Sequence, residues 1–495
     1  MAEEVFVGAG AGATLVPEMD IQLNNVSFGA GAFQGTLNAT DSGLIQLVPN
    51  LYVGCRVTIG SIETIITSNA AEAITVETSP NSTSSTANYD VTIHGFGAPV
   101  PGPFAGTDTP TLLADNWLGL VNTLTPPSIE AELKQLNLAV SGGRNFSHQF
   151  KGAETVSGGS LDISLNNGSW LYYALGNAAF TFAGSTDWQS TSDDDFLINA
   201  ADNKIVRTIS GNEYPLRLDG AGEPLDADDT DQGDPVYYLL NDGTIDYTFT
   251  ELNGDYLPSF ALEVSYDKST VTASSVIDSN THNVNRYCRI FTGCQVNSLT
   301  MNFEESQELT ASVDLVTRRA FDAPNGYLPR RGATLGVSGL QNYSSTNADN
   351  YPFMFSDGSI KVFGQNVTRV KSGNLVITNN IAAQRFIGNT NRQIMSAHIP
   401  AQRTYELTLT MLITDTELWD ELRSQDEYDT DTGLLELNFT KDTGEALEIK
   451  LDDYIITNVT VPFPEDKGPV EVEVTMQART LTSCTYSNAK WAIMM

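Results

Sequence analysis

The side chains that could do chemistry are few and scattered. Four histidines (His94, His148, His282 and His398) stand far apart, with neither the HxxxH nor the HExxH spacing that brings two imidazoles onto one metal ion. They read as surface or interface residues, with a catalytic or metal role as the weaker alternative. Four cysteines (Cys55, Cys288, Cys294 and Cys484) include no CxxC pair and are too few for a disulfide scaffold, so ordinary reduced thiols are expected. No G-x-S-x-G elbow offers a nucleophile. The run GAGAGA, Gly8 to Ala13, fits G-x-G-x-x-A in form, but a dinucleotide site needs a helix next and TLVPEMD with Pro17 follows. A flexible N-terminal arm is expected there. DADDTDQGD, Asp226 to Asp234, has the composition of a calcium loop, yet no register leads to a glutamate at the twelfth position. A solvated acidic loop is expected, an opportunistic cation site being the alternative. No catalytic residue, metal ligand or cofactor is expected, and the chain does not read as an enzyme.

The bases are more informative than the acids. The chain carries 26 basic against 61 acidic residues, a net charge of −35, and the acids are 35 Asp and 26 Glu against 16 Arg and 10 Lys. A field of one sign this large repels phosphate and excludes a surface that grips nucleic acid. Three explanations compete: solubility in a salty cytoplasm, a conduit through which DNA slides without sticking, or a plain solvated surface. Against this background two stretches collect bases and avoid acids. Asn379 to Gln402 holds Arg385, Arg392 and His398 with no Asp or Glu, and Arg403 adjoins it. Gly142 to Gly158 holds Arg144, His148 and Lys151 with only Glu154. Both read as long loops between strands, and like-charged subunits need such places to attract one another, so a subunit-contact role is expected for these seven side chains. A solvated loop is the alternative.

The elements that must carry these residues are mostly strands. Apolar and polar residues alternate over four to eight positions between Gly, Asn, Asp and Pro, as in antiparallel sheets. Helix signals are rare: a capping box at Thr414 to Glu417 opens TELWDELRSQ, and Ser169 to Leu175 is a weaker counterpart. Residues 1–105 read as an N-terminal arm and a small β module, ending in the linker FGAPVPGPFAGTDTP from Phe96 to Pro110. No window of about 18 apolar residues could span a membrane. The N-terminus lacks the basic and apolar regions of a secretory signal, so a protein kept inside a cell or released by lysis is expected.

Three blocks recur in order. KQLNLAVSGG (Lys134 to Gly143) aligns with KSGNLVITNN (Lys371 to Asn380). SLDISLNNGSWLYYAL (Ser160 to Leu175) aligns with ELTLTMLITDTELWDEL (Glu406 to Leu422), each ending on a short helix with Trp170 or Trp419. NSLTMNFEESQELTASVDLVTR (Asn297 to Arg318) aligns without a gap on NVTVPFPEDKGPVEVEVTMQAR (Asn458 to Arg479). One β-rich unit duplicated within the chain is expected, over residues 106–325 and 326–495. The first copy carries an acidic insertion at about 186–270, expected to project into solvent. In the last block Leu309, Ala311, Val313 and Leu315 fall on Val470, Val472, Val474 and Met476. Burial of that apolar row sends Asp314, Glu471 and Glu473 to the opposite face.

At these blocks the chain resembles the major tail tube proteins of long-tailed bacteriophages and tailed archaeal viruses. The carrying residues are Val367 to Asn389, Arg403 to Arg423 and Tyr287 to Phe303, and the likeness covers about residues 115–485. The resemblance implies duplicated β-sandwich or half-barrel domains with short flanking helices, whose inner sheets join around a DNA-sized lumen. It implies a structural virion protein of the tail, assembled in the host cytoplasm, that forms stacked rings and conducts the genome during ejection. Its partners would be itself, as homotrimeric pseudo-hexameric rings, and the tape measure, tail terminator and distal tail proteins. Viral DNA would pass through without specific binding. Asp314, Glu471 and Glu473 become lumen candidates, and the Asp-rich, Lys-poor balance points to a halophilic, archaeal setting. A surface or secreted β-domain adhesin or carbohydrate-binding protein is the alternative reading.

Overall fold

The computed structural model describes residues 6–37, 50–70, 73–99, 119–136, 148–183, 196–199, 204–209, 212–215, 244–253, 256–268, 286–323, 351–362, 364–384, 397–412, 420, 435–461 and 469–489. The architecture is mainly β. The chain opens with β1 (Phe6–Pro17) and continues into β2 (Ile21–Phe28), β3 (Gln34–Thr36), β4 (Arg56–Ile59), β5 (Ile62–Ala70), β6 (Ala73–Val76) and β7 (Ala87–Ile93). Strands β2 to β7 close into a small barrel in the order β2-β3-β6-β5-β4-β7. Period-two alternation drives it, because Leu23, Phe28, Val57, Ile59, Ile74, Val91 and Ile93 all point inward and are buried.

Next come β8 (Leu120–Thr125), β9 (Ser128–Leu136), β10 (His148–Ser157), β11 (Ser160–Ser164), helix α1 (Ser169–Leu175) and β12 (Gly176–Ala183). A three-stranded meander follows, β13 (Phe196–Asn199), β14 (Lys204–Ile209) and β15 (Asn212–Pro215). Then come β16 (Thr244–Glu251), β17 (Phe260–Lys268), β18 (Arg286–Glu304), β19 (Thr310–Val316) and β20 (Arg319–Asp322). The rest of the chain forms β21 (Gly358–Val362), β22 (Gln365–Asn366), β23 (Val370–Thr378), β24 (Ala382–Gln384), β25 (Ala397–Ile399), β26 (Thr404–Leu412), β27 (Leu435–Thr440), β28 (Ala446–Thr460) and β29 (Glu471–Ala489). Sixteen strands make one sheet whose main path is β22-β21-β27-β28-β29-β26-β23-β18-β19-β11-β8.

Two stretches of the chain follow the same path through this sheet. In the first, β11 lies between β8 and β19, and β19 pairs with β18. In the second, β26 lies between β23 and β29, and β29 pairs with β28. Between the first two strands of each stretch a two-stranded ribbon stands apart, β9-β10 in one and β24-β25 in the other. The strand in the place of β23 is therefore β8. The segment aligned to it by sequence, Lys134 to Gly143, instead begins in ribbon strand β9, with residues 137–143 outside the described residues.

Several further expectations change. Residues 6–17 are no loose arm: β1 pairs antiparallel with β17, from Ala11↔Tyr266 to Pro17↔Phe260, because a ladder needs backbone groups and not large side chains. The two base-rich loops carry ribbon strands. Within the expected solvent-facing insertion, β16 and β17 belong to the large sheet and reach its core, with Tyr247, Phe249, Phe260, Leu262 and Val264 buried. The acidic runs Ser192 to Asp195 and LDADDTDQGDP, and all but Asp420 of the second expected helix, lie outside the described residues. Asp420 itself is helical.

Barrel and sheet meet at a buried carboxylate. Glu18 accepts hydrogen bonds from the Gly97 amide at 2.7 Å, the Gly293 amide at 2.7 Å and the Ser259 hydroxyl. Burial, opposed by these donors and by Arg318, pushes its pKa up from 4.5 to about 7.

Candidate bore and assembly surfaces

The central sheet has one apolar and one polar face, and the ladder registers place the polar residues in continuous rows. One row runs Thr125, Ser160, Asp314, Ser298, Thr378, Thr404. The next runs Thr123, Asp162, Ser312, Thr300, Val376, Glu406, Gln477. A third runs Ser164, Thr310, Asn302, Asn374, Thr408, Thr475, Asn458, and a fourth Glu304, Ser372, Thr410, Glu473, Thr460. Hydroxyls, amides and carboxylates fill these rows apart from Val376, and neither Lys nor Arg occurs in them. On the opposite face Leu299, Met301, Val313, Leu375, Leu407, Leu409, Val474 and Met476 are buried in one core with Trp170 and Leu171 of α1. Period two alone explains the segregation, since shifting any strand by one residue would bury its hydroxyls and carboxylates.

The three acidic residues singled out in the sequence are not equivalent. Asp314 and Glu473 are exposed. Glu471 is half-buried and pairs with Lys371, whose ammonium this carboxylate holds above its usual range. Leu309, Ala311, Val313, Leu315, Val472, Val474 and Met476 are buried as the alternation requires. Val470 is only half-buried, because it precedes the first residue of β29.

The base-rich stretches lead to the two ribbons. In β9-β10, Leu136 lies opposite His148 and Leu133 opposite Lys151. Val156 anchors the root in the core, while Leu133, Leu136 and Phe150 are 60%, 47% and 55% exposed. His148 and Lys151 are exposed, and Lys151 forms an ion pair with Glu154. An isolated two-stranded ribbon is marginal in water, and one with bare leucines and a phenylalanine needs a neighbour. In β24-β25, Ala383 lies opposite His398, and Ile399 is 45% exposed. Arg144, Arg385, Arg392 and the side chain of His398 lie outside the described residues.

Arg403 is anchored within its own chain. Its Nε donates to Asn379 Oδ1 at 2.8 Å and its Nη2 to Leu175 O at 3.0 Å. Buried Asn379 in turn donates through Nδ2 to Ala174 O at 3.0 Å and Val296 O at 2.9 Å. Together they satisfy carbonyls that the C-terminus of α1 leaves open. The sequence reading missed this latch, as it missed Glu18 and the exposed apolar residues of the ribbons. Asn379 carried no signal beyond standing at the end of a strand.

The chemistry-bearing residues do not gather. His94 Nε2 lies 2.7 Å from Thr58 Oγ1 and its Nδ1 lies 3.6 Å from Asp20, at the barrel mouth and far from His148 in sequence and element. His282 lies outside the described residues. Among the described residues no group of three or more His, Cys, Asp or Glu could hold a metal ion, and no helix is long and apolar enough to cross a membrane. All four cysteines are buried thiols outside any disulfide, and burial raises the thiol pKa of Cys55, Cys294 and Cys484.

A broad antiparallel sheet, apolar behind and acidic in front, with projecting ribbons that expose apolar residues, defines a structural protein that works by assembling. The sequence model of the phage tail tube proteins matches residues 69–478. The chain belongs to the phage tail tube protein family, and is a structural, non-enzymatic component of the virion tail that self-assembles into a tube. No curated protein matches it.

Proposed function

We propose that three copies of the chain close into a ring with quasi-sixfold symmetry, and that stacked rings form the conduit through which the viral genome passes. Each chain contributes two tube modules, the products of one duplication, at residues 106–325 and 326–495. The repeated path β8-β11-β19-β18 and β23-β26-β29-β28 supports this count. The polar face lines the bore, where Asp162, Asp314, Glu304, Glu406 and Glu473 repel phosphate while hydroxyl and amide neighbours leave DNA nothing to grip. The observation that carries the reading is the set of four rows across β8 to β28, polar at every position but Val376 and without a single Lys or Arg.

Rings stack through the ribbons and their flanks. Leu133, Leu136, Phe150 and Ile399 supply apolar area, and Arg144, His148, Lys151, Arg385, Arg392 and His398 supply the attraction that the acidic surface lacks, while Arg403, bonded within its own chain, holds the root of the second ribbon. The N-terminal barrel decorates the outside, and the tube ends meet the tape measure, terminator and distal tail proteins. The surplus of Asp over Lys fits a halophilic, archaeal host, in whose salt the self-repulsion is screened. Mass measurement and electron microscopy of the purified protein test the assembly: rings of three chains are expected, and rings of six chains would overturn the duplication. Replacing Arg385 and Arg392 by Glu should leave folded subunits that do not polymerise, whereas normal tubes would make those residues bystanders.

A further inference from the structure

A hairpin turn is an unusual place to bury two opposite charges. Lys441 and Glu445 bound the turn between β27 and β28, which is closed by the Lys441 amide on Glu445 O and the Gly444 amide on Lys441 O, both at 2.9 Å. Their side chains are 1% and 0% exposed, and ammonium meets carboxylate at 2.8 Å. The ammonium also donates to the backbone carbonyl of Asn166 at 2.9 Å, a residue 275 positions away in the connection between β11 and α1 and itself buried. The ring of Phe353 lies 4.5 Å from Lys441 Nζ and that of Tyr351 5.4 Å, while the Tyr486 hydroxyl donates to Glu445 Oε1 at 3.3 Å. Apolar residues in place of such a pair are often as good for stability, so stability is a poor reason to bury it. An amine, a carboxamide and a carboxylate enclosed by aromatic rings are instead the reactants and the proton carrier of amide exchange.

We propose that Lys441 and Asn166 become joined by an isopeptide bond within the chain, with Glu445 carrying the proton. Glu445 takes a proton from the Lys441 ammonium, and the freed amine attacks Cγ of the Asn166 side chain to form a new C–N bond. Glu445 then hands its proton to the side-chain amide nitrogen, and the old Cγ–N bond breaks. Ammonia leaves with the surplus proton from Nζ, as ammonium. Lysine and asparagine end as one neutral secondary amide, and Glu445 returns to the carboxylate with which it began. No oxidant, metal or nucleotide is consumed.

The structure shows the state before reaction. Nζ meets Asn166 at its backbone carbonyl, while the side-chain Oδ1 lies beside Gly119, 3.8 Å from where a Cβ on that glycine would stand. Cγ is tied to the contacted carbonyl only through Cα and Cβ of the same residue, so a change of χ1 rotamer swings it toward the amine. Both approaches are held in place. The Phe353 amide on Leu165 O at 2.9 Å and the Leu165 amide on Leu309 O at 2.8 Å fix the asparagine side, and Asn488 Nδ2 on Gly444 O at 3.0 Å fixes the turn. Reaction within so fixed an enclosure replaces collision by proximity. The bond would close a loop running from before α1 to the end of β27 and would tie the two halves of the sheet covalently. Loop closure restricts the unfolded chain as a disulfide does, and this staple needs no oxidising compartment. The inference goes beyond the tube reading and is independent of the number of chains in a ring.

Mass spectrometry of the full-length protein tests this. Folded wild-type protein, purified and aged at neutral pH, should be lighter than its sequence by one ammonia, about 17 Da. Its tryptic digest should contain one branched peptide joining the Asn166 and Lys441 segments, with no cleavage after Lys441. Asn166→Ala keeps the ion pair and the backbone carbonyl and removes the reacting amide, so it should fold, show its full mass and be cleaved after Lys441. Glu445→Gln should also stay unlinked. Where loss of that charge prevents folding, the comparison of wild type with Asn166→Ala stands alone. Folded wild-type protein that keeps its full mass after ageing would overturn the bond. So would loss of ammonia with the Lys441 peptide unbranched, which would be ring closure at an Asn-Gly step such as Asn167-Gly168. A branched peptide from folded Glu445→Gln would overturn the role given to Glu445.

Discussion

The two halves of the sheet agree where strands pair and diverge where ribbons project. Leu161 lies between Leu124 and Val313 in one half, and Leu407 between Leu375 and Met476 in the other. The first-half ribbon, by contrast, has strands of 9 and 10 residues and exposes three large apolar side chains, while the described strands of the second-half ribbon have 3 residues each and expose Ile399. Strand pairing constrains the inner sheet, since each strand there meets its neighbours in register. It leaves the arms free to specialise. In a three-chain ring, long and short arms would alternate around the stacking face.

That contrast can be broken most forcefully at the long arm. Leu133→Lys with Phe150→Lys should abolish polymerisation while changing subunit unfolding by no more than about 0.5 kcal/mol, since both sites are exposed. Ile399→Lys should do less, raising the concentration needed for assembly roughly tenfold, or about 1.4 kcal/mol. Sedimentation of assembly mixtures reads both, and equal effects would erase the distinction between arms.

The latch between the halves comes next. Asn379→Ala removes two donors to α1 and β18 carbonyls and the acceptor for Arg403, so a loss of about 2–4 kcal/mol in urea unfolding is expected. A loss below about 1 kcal/mol would mean that the two halves stand independently.

The barrel junction should show a pH dependence. Glu18 has its folded pKa raised from 4.5 to about 7, so the folded state holds the proton more tightly. Its contribution to stability is fully present below about pH 4.5 and is lost as the pH rises through about 7. Glu18→Gln should remove that slope. It should also destabilise the junction by about 1–3 kcal/mol throughout, because its amide must face a backbone N–H. An unchanged slope in thermal unfolding between pH 5 and 7 would show that Glu18 does not titrate there.

The smallest effects belong to the polar face. Glu473→Gln should make tubes slightly more tolerant of low salt, where the Debye length grows from about 3 Å at 1 M to about 30 Å at 0.01 M. Glu471→Gln should not, since it leaves Lys371 without its partner. Tubes equally stable in molar and millimolar salt would argue against the halophilic setting.

Alternation made the inner sheet legible. The row Leu309, Ala311, Val313, Leu315 and most of its counterpart could be placed from sequence because one face is wet and the other dry. Helix α1 was legible at Ser169 to Leu175, and the N-terminal unit as a small β module, though not as a closed barrel. The ribbons were not, because strand β9 is exposed along nearly its whole length and so shows no period. β1 hid for the opposite reason, its Gly and Ala residues giving no contrast between faces. The latch and the Glu18 junction join residues more than 200 positions apart, a proximity that no local pattern encodes.

The buried thiols bear on how long such a particle lasts. A tube built in a reducing cell must later persist in aerated surroundings, where an accessible thiolate would oxidise or couple to its neighbours. Cys55, Cys288, Cys294 and Cys484 are buried, and for Cys55, Cys294 and Cys484 burial favours the unreactive protonated form. Thiol oxidation outside the host would then have to wait for unfolding.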